Sequence, residues 1–98
     1  MRVYKRLATI TSASGTGSVS THPIIGALMR QFYITAGTSG TTFRADITDD
    51  NSVVVRSYDI HQGEINDIKT LPVVGTYTLR VTNASADGNF TCVMMCQE

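Results

Sequence analysis

A chain of 98 residues is long enough for one domain with one core but short for a separate catalytic layer. Its eight basic and eight acidic residues give a formal net charge of zero, so it lacks the basic field with which proteins neutralise nucleic-acid phosphates. No stretch approaches the roughly 18 consecutive apolar residues of a membrane helix. We therefore predict a single domain over residues 1–98 that has neither nucleic acid nor a membrane as its partner.

The first predicted strand covers residues 3–11. The residues at its start are mostly polar and basic, and the apolar content after them is too thin for an export signal, so we expect synthesis in the cytoplasm. The strand has mixed faces, because Val3 and Leu7 share a face with Lys5. A mixed strand of this kind suits a sheet edge or an extended arm, and we apply that interpretation to residues 1–22.

Two central segments show the strict alternation of half-buried strands. Phe43, Ala45 and Ile47 alternate with polar residues over 41–48, and the same pattern recurs over 76–82. Alternation with period two places the apolar side chains on one face, as an antiparallel strand over a core requires. The predicted core comprises Phe43, Ile47, Val55, Tyr77, Leu79 and Val81.

Turn residues separate these segments at intervals typical of a β-sandwich or barrel. Residues 23–29 have the least regular pattern, because a proline and a glycine interrupt apolar positions that also fit a helical stripe. We expect this segment to be irregular or strand-like. The predicted strands cover residues 3–11, 17–21, 30–36, 41–48, 52–59, 64–69, 76–82 and 89–96, which makes the fold all-β and antiparallel.

The last predicted strand, residues 89–96, carries apolar residues on both faces. Cys92 shares one face with Cys96, whereas Val93 and Met95 lie on the other. Four strand steps separate the two cysteines by roughly 13 Å, beyond the reach of about 7 Å of a disulfide, so we predict two buried free thiols. A strand with two apolar faces is covered on both sides, either by a loop of the same chain or by another subunit.

No motif for catalysis or cofactor binding stands out. His22 and His61 share no motif, and the sequence lacks the phosphate-binding glycine loops and paired Cys-x-x-Cys spacing of common cofactor sites. We therefore predict no enzyme activity, no catalytic residue, no cofactor and no metal site. One question stays open at Asp49 and Asp50, since acidic turn residues either bond the local backbone or supply oxygen ligands to calcium.

The surface composition favours assembly with other proteins. The charged fraction of 16% is low for a soluble domain, and neutral surface of this kind suits burial against partners. We place the interface on the two terminal strands and expect that deleting residues 1–11 weakens assembly more than it weakens the fold. We also expect a homo-oligomer, and the candidate interface residues are Val3, Tyr4, Leu7, Val93 and Met95.

Three segments resemble a known kind of β-sandwich. They are Thr41-Thr-Phe-Arg-Ala-Asp-Ile-Thr-Asp49, Ser52-Val-Val-Val-Arg-Ser-Tyr58 and Gly75-Thr-Tyr-Thr-Leu-Arg-Val-Thr-Asn83. Their order is similar to that of bacterial pre-peptidase C-terminal jelly-roll modules, and it resembles the small β-sandwich decoration proteins, or cement proteins, of tailed-phage capsids. The resemblance covers residues 30–96 and implies a jelly-roll-like sandwich of about eight strands. It implies no site residue, because the shared features are strands and turns.

The resemblance to phage decoration proteins implies a structural protein that is made in the host cytoplasm and becomes part of the virion. Its partners would be the major capsid protein or other virion subunits. Pre-peptidase modules follow a secreted enzyme in one chain, whereas this sequence shows neither an export signal nor an enzyme, which favours the virion interpretation. The alternative is a carbohydrate- or cell-surface-binding accessory module, for which the chain offers four tyrosines and no tryptophan.

Overall fold

The computed structural model describes residues 2–98 as two antiparallel β-sheets packed face to face, which confirms the predicted β-sandwich. The described residues contain no helix of the length and hydropathy that crossing a bilayer requires. The strands are β1 (Val3–Thr11), β2 (Gly17–Ser20), β3 (Ile24–Ala36), β4 (Thr42–Thr48), β5 (Val54–Gln62), β6 (Glu64–Asp67), β7 (Leu71–Gly75), β8 (Thr78–Thr82) and β9 (Asn89–Gln97).

The strand order is that of a jelly roll. The five-stranded sheet runs β1-β9-β3-β6, with β7 also paired to β3, and the four-stranded sheet runs β2-β8-β4-β5. Because β6 pairs with the C-terminal part of β3 and β7 with its N-terminal part, the two form one interrupted strand. Counted in that way, eight strands divide between two sheets in the manner of the double-sheet jelly rolls.

The structure differs from the sequence prediction at β3 and β7. Residues 23–29, expected to be irregular or strand-like, form the first part of β3 from Ile24 onward. A register shift against β9 leaves Arg30 as an extra residue, and such a bulge breaks the period of two, which explains the mixed pattern. The strand β7 went unpredicted because it contains Pro72, yet proline is tolerated on an edge strand that need not donate a ladder hydrogen bond.

The core lies between the sheets and is built from alternate residues of both. Phe43 of β4 meets Phe90 of β9 edge to face, with ring centroids 5.0 Å apart, a favourable arrangement for aromatic rings. Val55 is only half-buried, because it lies on β5, the edge strand of its sheet. The other predicted core residues are confirmed as buried: Phe43, Ile47, Tyr77, Leu79 and Val81.

Both cysteines lie on the inner face of β9. Cys92 and Cys96 are buried free thiols, as their spacing predicts. Burial in apolar surroundings raises the pKa of the Cys92 thiol to about 12 and also raises the pKa of Cys96. A thiol with so high a pKa is protonated at neutral pH, whereas nucleophilic attack and metal binding need the thiolate. The two cysteines therefore act as apolar core residues.

Two aspartates organise the loops. The Asp49 carboxylate accepts hydrogen bonds of 2.9 Å from the backbone N–H groups of Asn51 and Val53, so it serves the turn between β4 and β5. Asp87 accepts hydrogen bonds from the backbone N–H groups of Ser14 and Gly15, which join the β1–β2 turn to the β8–β9 loop and lower the pKa of Asp87. Within residues 2–98, no group of three or more His, Cys, Asp and Glu side chains is placed to hold a metal ion.

The first strand is an edge strand of the five-stranded sheet. It pairs with β9 along its whole length, from Val3 opposite Gln97 to Thr11 opposite Asn89. Its inner side contributes Ile10, which is fully buried. The idea that residues 1–22 serve as an arm in an assembly stays a prediction. Because truncation of residues 1–11 would also remove the core side chain of Ile10, point substitutions are the cleaner test of the interface.

Candidate protein-binding face

The register of β1, β9 and β3 identifies the outer face of the five-stranded sheet, because directly opposed residues of antiparallel strands lie on the same face. Consecutive rows of side chains cross this face from β1 through β9 to β3. The rows are Val3 with Gln97 and Leu28, Lys5 with Met95 and Gln31, Leu7 with Val93 and Tyr33, and Thr9 with Thr91 and Thr35.

A largely apolar patch occupies this face. Leu7 is 71% exposed and Val3 is 59% exposed, while Val93 between its neighbours is only 3% exposed. No strand of the described chain packs over this face, so Leu7 and Val3 meet solvent, whereas neighbouring side chains cover Val93. We name the following residues the apolar patch: Val3, Leu7, Leu28, Tyr33, Val74, Val93 and Met95.

The four-stranded sheet presents the opposite character on its outer face. Ser18, Arg80 and Asp46 form one row across β2, β8 and β4. Arg80 Nη2 lies 3.0 Å from Asp46 Oδ2 in an exposed ion pair. Serine, threonine and charged side chains at such positions are what a solvated sheet face requires. Val54 of the edge strand β5 is 52% exposed opposite Thr48, so the contrast between the two outer faces holds along β2, β8 and β4.

Polar residues border the apolar patch. The row of Thr9, Thr91 and Thr35 continues to Glu64 on β6. Lys5 is the one charged side chain in the three rows of β1, β9 and β3 that contain the patch. Lys5 and Gln31 lie in the middle row, so the patch is apolar with interspersed polar side chains and one charge. Depletion of charged side chains is a feature of protein–protein interfaces.

The structure gathers four of the candidate interface residues and separates one. Val3, Leu7, Val93 and Met95 lie together on the outer face. Tyr4 lies on the inner face instead, half-buried, with the guanidinium carbons of Arg2 and Arg6 at 4.9 and 5.2 Å from its ring centroid. Sequence reasoning missed Leu28 and Val74, because they lie in segments whose pattern the bulge and the proline obscured. Tyr33 lies in the predicted strand 30–36, but its place on this face depends on the pairing of β3 with β9.

A separate polar cluster closes the sandwich edge between β5 and β6. The Tyr58 hydroxyl donates a 2.7 Å hydrogen bond to Asp67, and Arg56 Nε lies 3.7 Å from the same carboxylate. Burial, followed by this hydrogen bond, raises the pKa of Tyr58. Partial burial acts to raise the pKa of Asp67, but hydrogen bonds from the Lys69 backbone N–H and from the Tyr58 hydroxyl outweigh it, so the pKa is lowered. The cluster joins the two sheets.

No protein-family profile and no curated protein matches this sequence. Among solved structures, dimeric latent PorU from Porphyromonas gingivalis is 14% identical with a TM-score of 0.41, covering 100% of this chain and 13% of that chain. A structure of infectious bursal disease virus, Gx strain, is 11% identical with a TM-score of 0.41 and covers 98% of this chain and 33% of that chain. The Gt strain of that virus gives 10% identity, a TM-score of 0.39 and coverages of 98% and 32%. This chain thus spans a third or less of the matched chains, and similarities of this size carry no argument about function.

Proposed function

We propose that the chain is a structural virion protein that decorates or cements a tailed-phage capsid, and that the apolar patch docks on the major capsid protein. The observation that supports this proposal is the patch itself. The outward rows of β1, β9 and β3 that contain it carry a single charge, Lys5, whereas the row across β2, β8 and β4 contains the Arg80–Asp46 ion pair. A soluble domain gains nothing from such a face in isolation, whereas burial against a partner removes it from water.

The dimensions of the sheet suit a docking role. Four strands about 4.8 Å apart and nine residues of about 3.4 Å each give a face of about 590 Å². A stable interface takes about 800 Å² from each partner, so the face supplies most of one partner's share and adjoining loops supply the remainder. Copies repeated on a capsid lattice gain further affinity when one subunit touches more than one neighbour.

The aromatic residues favour this function over carbohydrate binding. A sugar-binding module needs exposed aromatic faces, yet Tyr77 is buried and Tyr58 stacks against Phe32 at 5.8 Å. Tyr4 is flanked by two arginines, so Tyr33 remains as the tyrosine of the outer face. It lies within the apolar patch, where it serves a protein contact equally well.

Substituting one patch residue tests the proposal. Leu7→Glu places a charge in the patch, and because Leu7 is 71% exposed, we expect little change in stability. Ser18→Glu is the matched control, since it adds the same charge to the outer face of the other sheet. The assay is co-sedimentation with capsids assembled from the major capsid protein of the genome that encodes this chain. We expect at least about tenfold weaker binding for Leu7→Glu, corresponding to about 1.4 kcal/mol, and unchanged binding for Ser18→Glu.

Two results would contradict the proposal. If the unmodified protein does not sediment with the capsids, the capsid function is wrong. If it does, but both variants bind equally well, then the protein docks through a surface other than the apolar patch.

A further inference from the structure

A cleft opens between the two sheets at the edge formed by β1 and β2. Its volume is about 170 Å³, and its lining is mainly apolar, with Ala8, Val19 and Met94 among the lining residues. Arg6, on the inner face of β1 opposite Met94, also lines the cleft. The Arg6 Nε is shielded from solvent and has no hydrogen-bond partner. A half-buried guanidinium in apolar surroundings calls for a counter-charge.

The described chain supplies no counter-charge to Arg6. None of the ion pairs formed by residues 2–98 includes it, and its close contact is the ring of Tyr4, at 5.2 Å. At the start of β1, Glu98 pairs with Arg2 at 3.0 Å and not with Arg6. The positive charge at this edge is therefore uncompensated within the described part of the chain.

The opposite edge of the sandwich shows what is missing. There, Arg56 projects inward from β5 in the same manner, and its Nε is likewise buried without a hydrogen bond. The Asp67 carboxylate of the facing sheet lies 3.7 Å away, and Arg56 Nη2 donates a 3.0 Å hydrogen bond to the Thr70 carbonyl. One edge thus carries an arginine with its carboxylate, and the other carries an arginine without one.

We propose that the cleft between β1 and β2 binds an extended segment of a partner protein, whose carboxylate side chain pairs with Arg6. The strand β1 has a neighbour on one side only, so its other edge offers free backbone groups for strand addition. Every second side chain of an added strand then faces the cleft. A dry cavity of about 150 Å³ holds a benzene ring, so this cleft takes one apolar side chain beside the carboxylate.

This site lies at the sandwich edge and borders the apolar patch, since Leu7 also lines the cleft, but it does not depend on which protein binds the patch. The probe is the peptide acetyl-Thr-Val-Thr-Glu-Thr-Val-Thr-amide, whose Val, Glu and Val side chains share one face. Its control peptide replaces Glu by Gln. Titration of the ¹⁵N-labelled full chain, followed by NMR, reports the Arg6 Nε–H signal and the backbone amides of β1.

We expect saturable binding of the Glu peptide and about ten- to hundred-fold weaker binding of the Gln peptide, as loss of a charge-assisted hydrogen bond implies. In Arg6→Gln the preference for the Glu peptide should disappear, with the fold checked by the amide spectrum. Arg30→Gln is the matched control, since it removes an exposed arginine from the bulge of β3. That variant should keep the preference.

Several outcomes would overturn this inference. They are absence of peptide binding, equal binding of the two peptides, and shifts confined to regions away from β1 and β2. Preferential binding of octanoate would mean that the cleft takes a small carboxylate ligand instead of a protein segment. The two proposals can fail separately. Capsid binding without peptide binding would contradict only the cleft proposal. Peptide binding without capsid binding would contradict only the capsid proposal.

Discussion

Replacing Leu79 by alanine tests whether the alternation of β8 carries the core. Leu79 is 1% exposed and lies in one inner row with Val19 and Ile47. The substitution removes three carbon atoms, which at about 0.8 kcal/mol each gives a transfer loss of about 2.4 kcal/mol, and the cavity left behind adds to it. Because Leu79 also lines the β1–β2 cleft, part of the new space joins that cleft. We therefore expect a total loss of about 3 kcal/mol, below the upper limit of about 5 kcal/mol for such substitutions.

Urea unfolding followed by far-UV circular dichroism measures this loss, since the chain has no tryptophan. A loss of about 3 kcal/mol corresponds to a fall in Tm of roughly 12–24 °C for a domain of this size. Leu7→Ala is the matched control, because Leu7 is 71% exposed and, at a concentration where the protein is monomeric, should cost less than about 0.5 kcal/mol. Equal losses for the two leucines, or a loss below about 1 kcal/mol for Leu79→Ala, would refute the assignment of the faces.

Two further predictions concern thiols and pH. Because Cys92 and Cys96 are buried with raised pKa values, iodoacetamide should react slowly with the native protein. Once urea unfolds the protein without reductant, iodoacetamide should label two thiols, as measured by intact mass. An unlabelled pair after unfolding would indicate a disulfide. Asp67 and Asp87 have lowered pKa values in the fold, so the stability they contribute is complete above the unfolded pKa of about 3.9 and is lost as the pH falls through their lower folded values. The urea midpoint should thus be lower at acidic pH than at neutral pH, and Asp87→Asn should reduce that difference. An equal pH dependence in the variant and the unmodified protein would show that the Asp87 hydrogen bonds do not contribute to the pH dependence of stability.

Sequence alternation predicts the strands whose two faces meet different environments. The strand β4 has the core on one side and solvent on the other, so Phe43 and Ile47 could be assigned to the core without a structure. In β3, residues 30–36 were predicted as a strand, but the segment before them gave no regular pattern, because the extra residue Arg30 shifts the register. The strand β7 was hidden by Pro72, which occurs in strands only at edges and bulges. Local patterns fail where the backbone departs from regular pairing.

The candidate interface could be predicted in part for a similar reason. Val93 and Met95 share a face by spacing alone, and the pairing of β1 with β9 adds Val3 and Leu7. The remaining patch residues depend on which strand lies on the other side of β9, and that pairing joins segments distant in sequence. The isolation of Arg6 could not be predicted at all, because it depends on the absence of a carboxylate across the gap between β1 and β2.

The two edges of the five-stranded sheet differ in continuity, and this bears on how copies of the chain can aggregate. At one edge β1 runs unbroken for nine residues. At the other edge β6 and β7 have four and five residues and are separated by the stretch 68–70. Endless ribbons need head-to-tail addition of one edge to the other, which the broken edge opposes. Contact of β1 with a second β1 is isologous and closes after two molecules, so the interrupted edge opposes continuous growth of the five-stranded sheet.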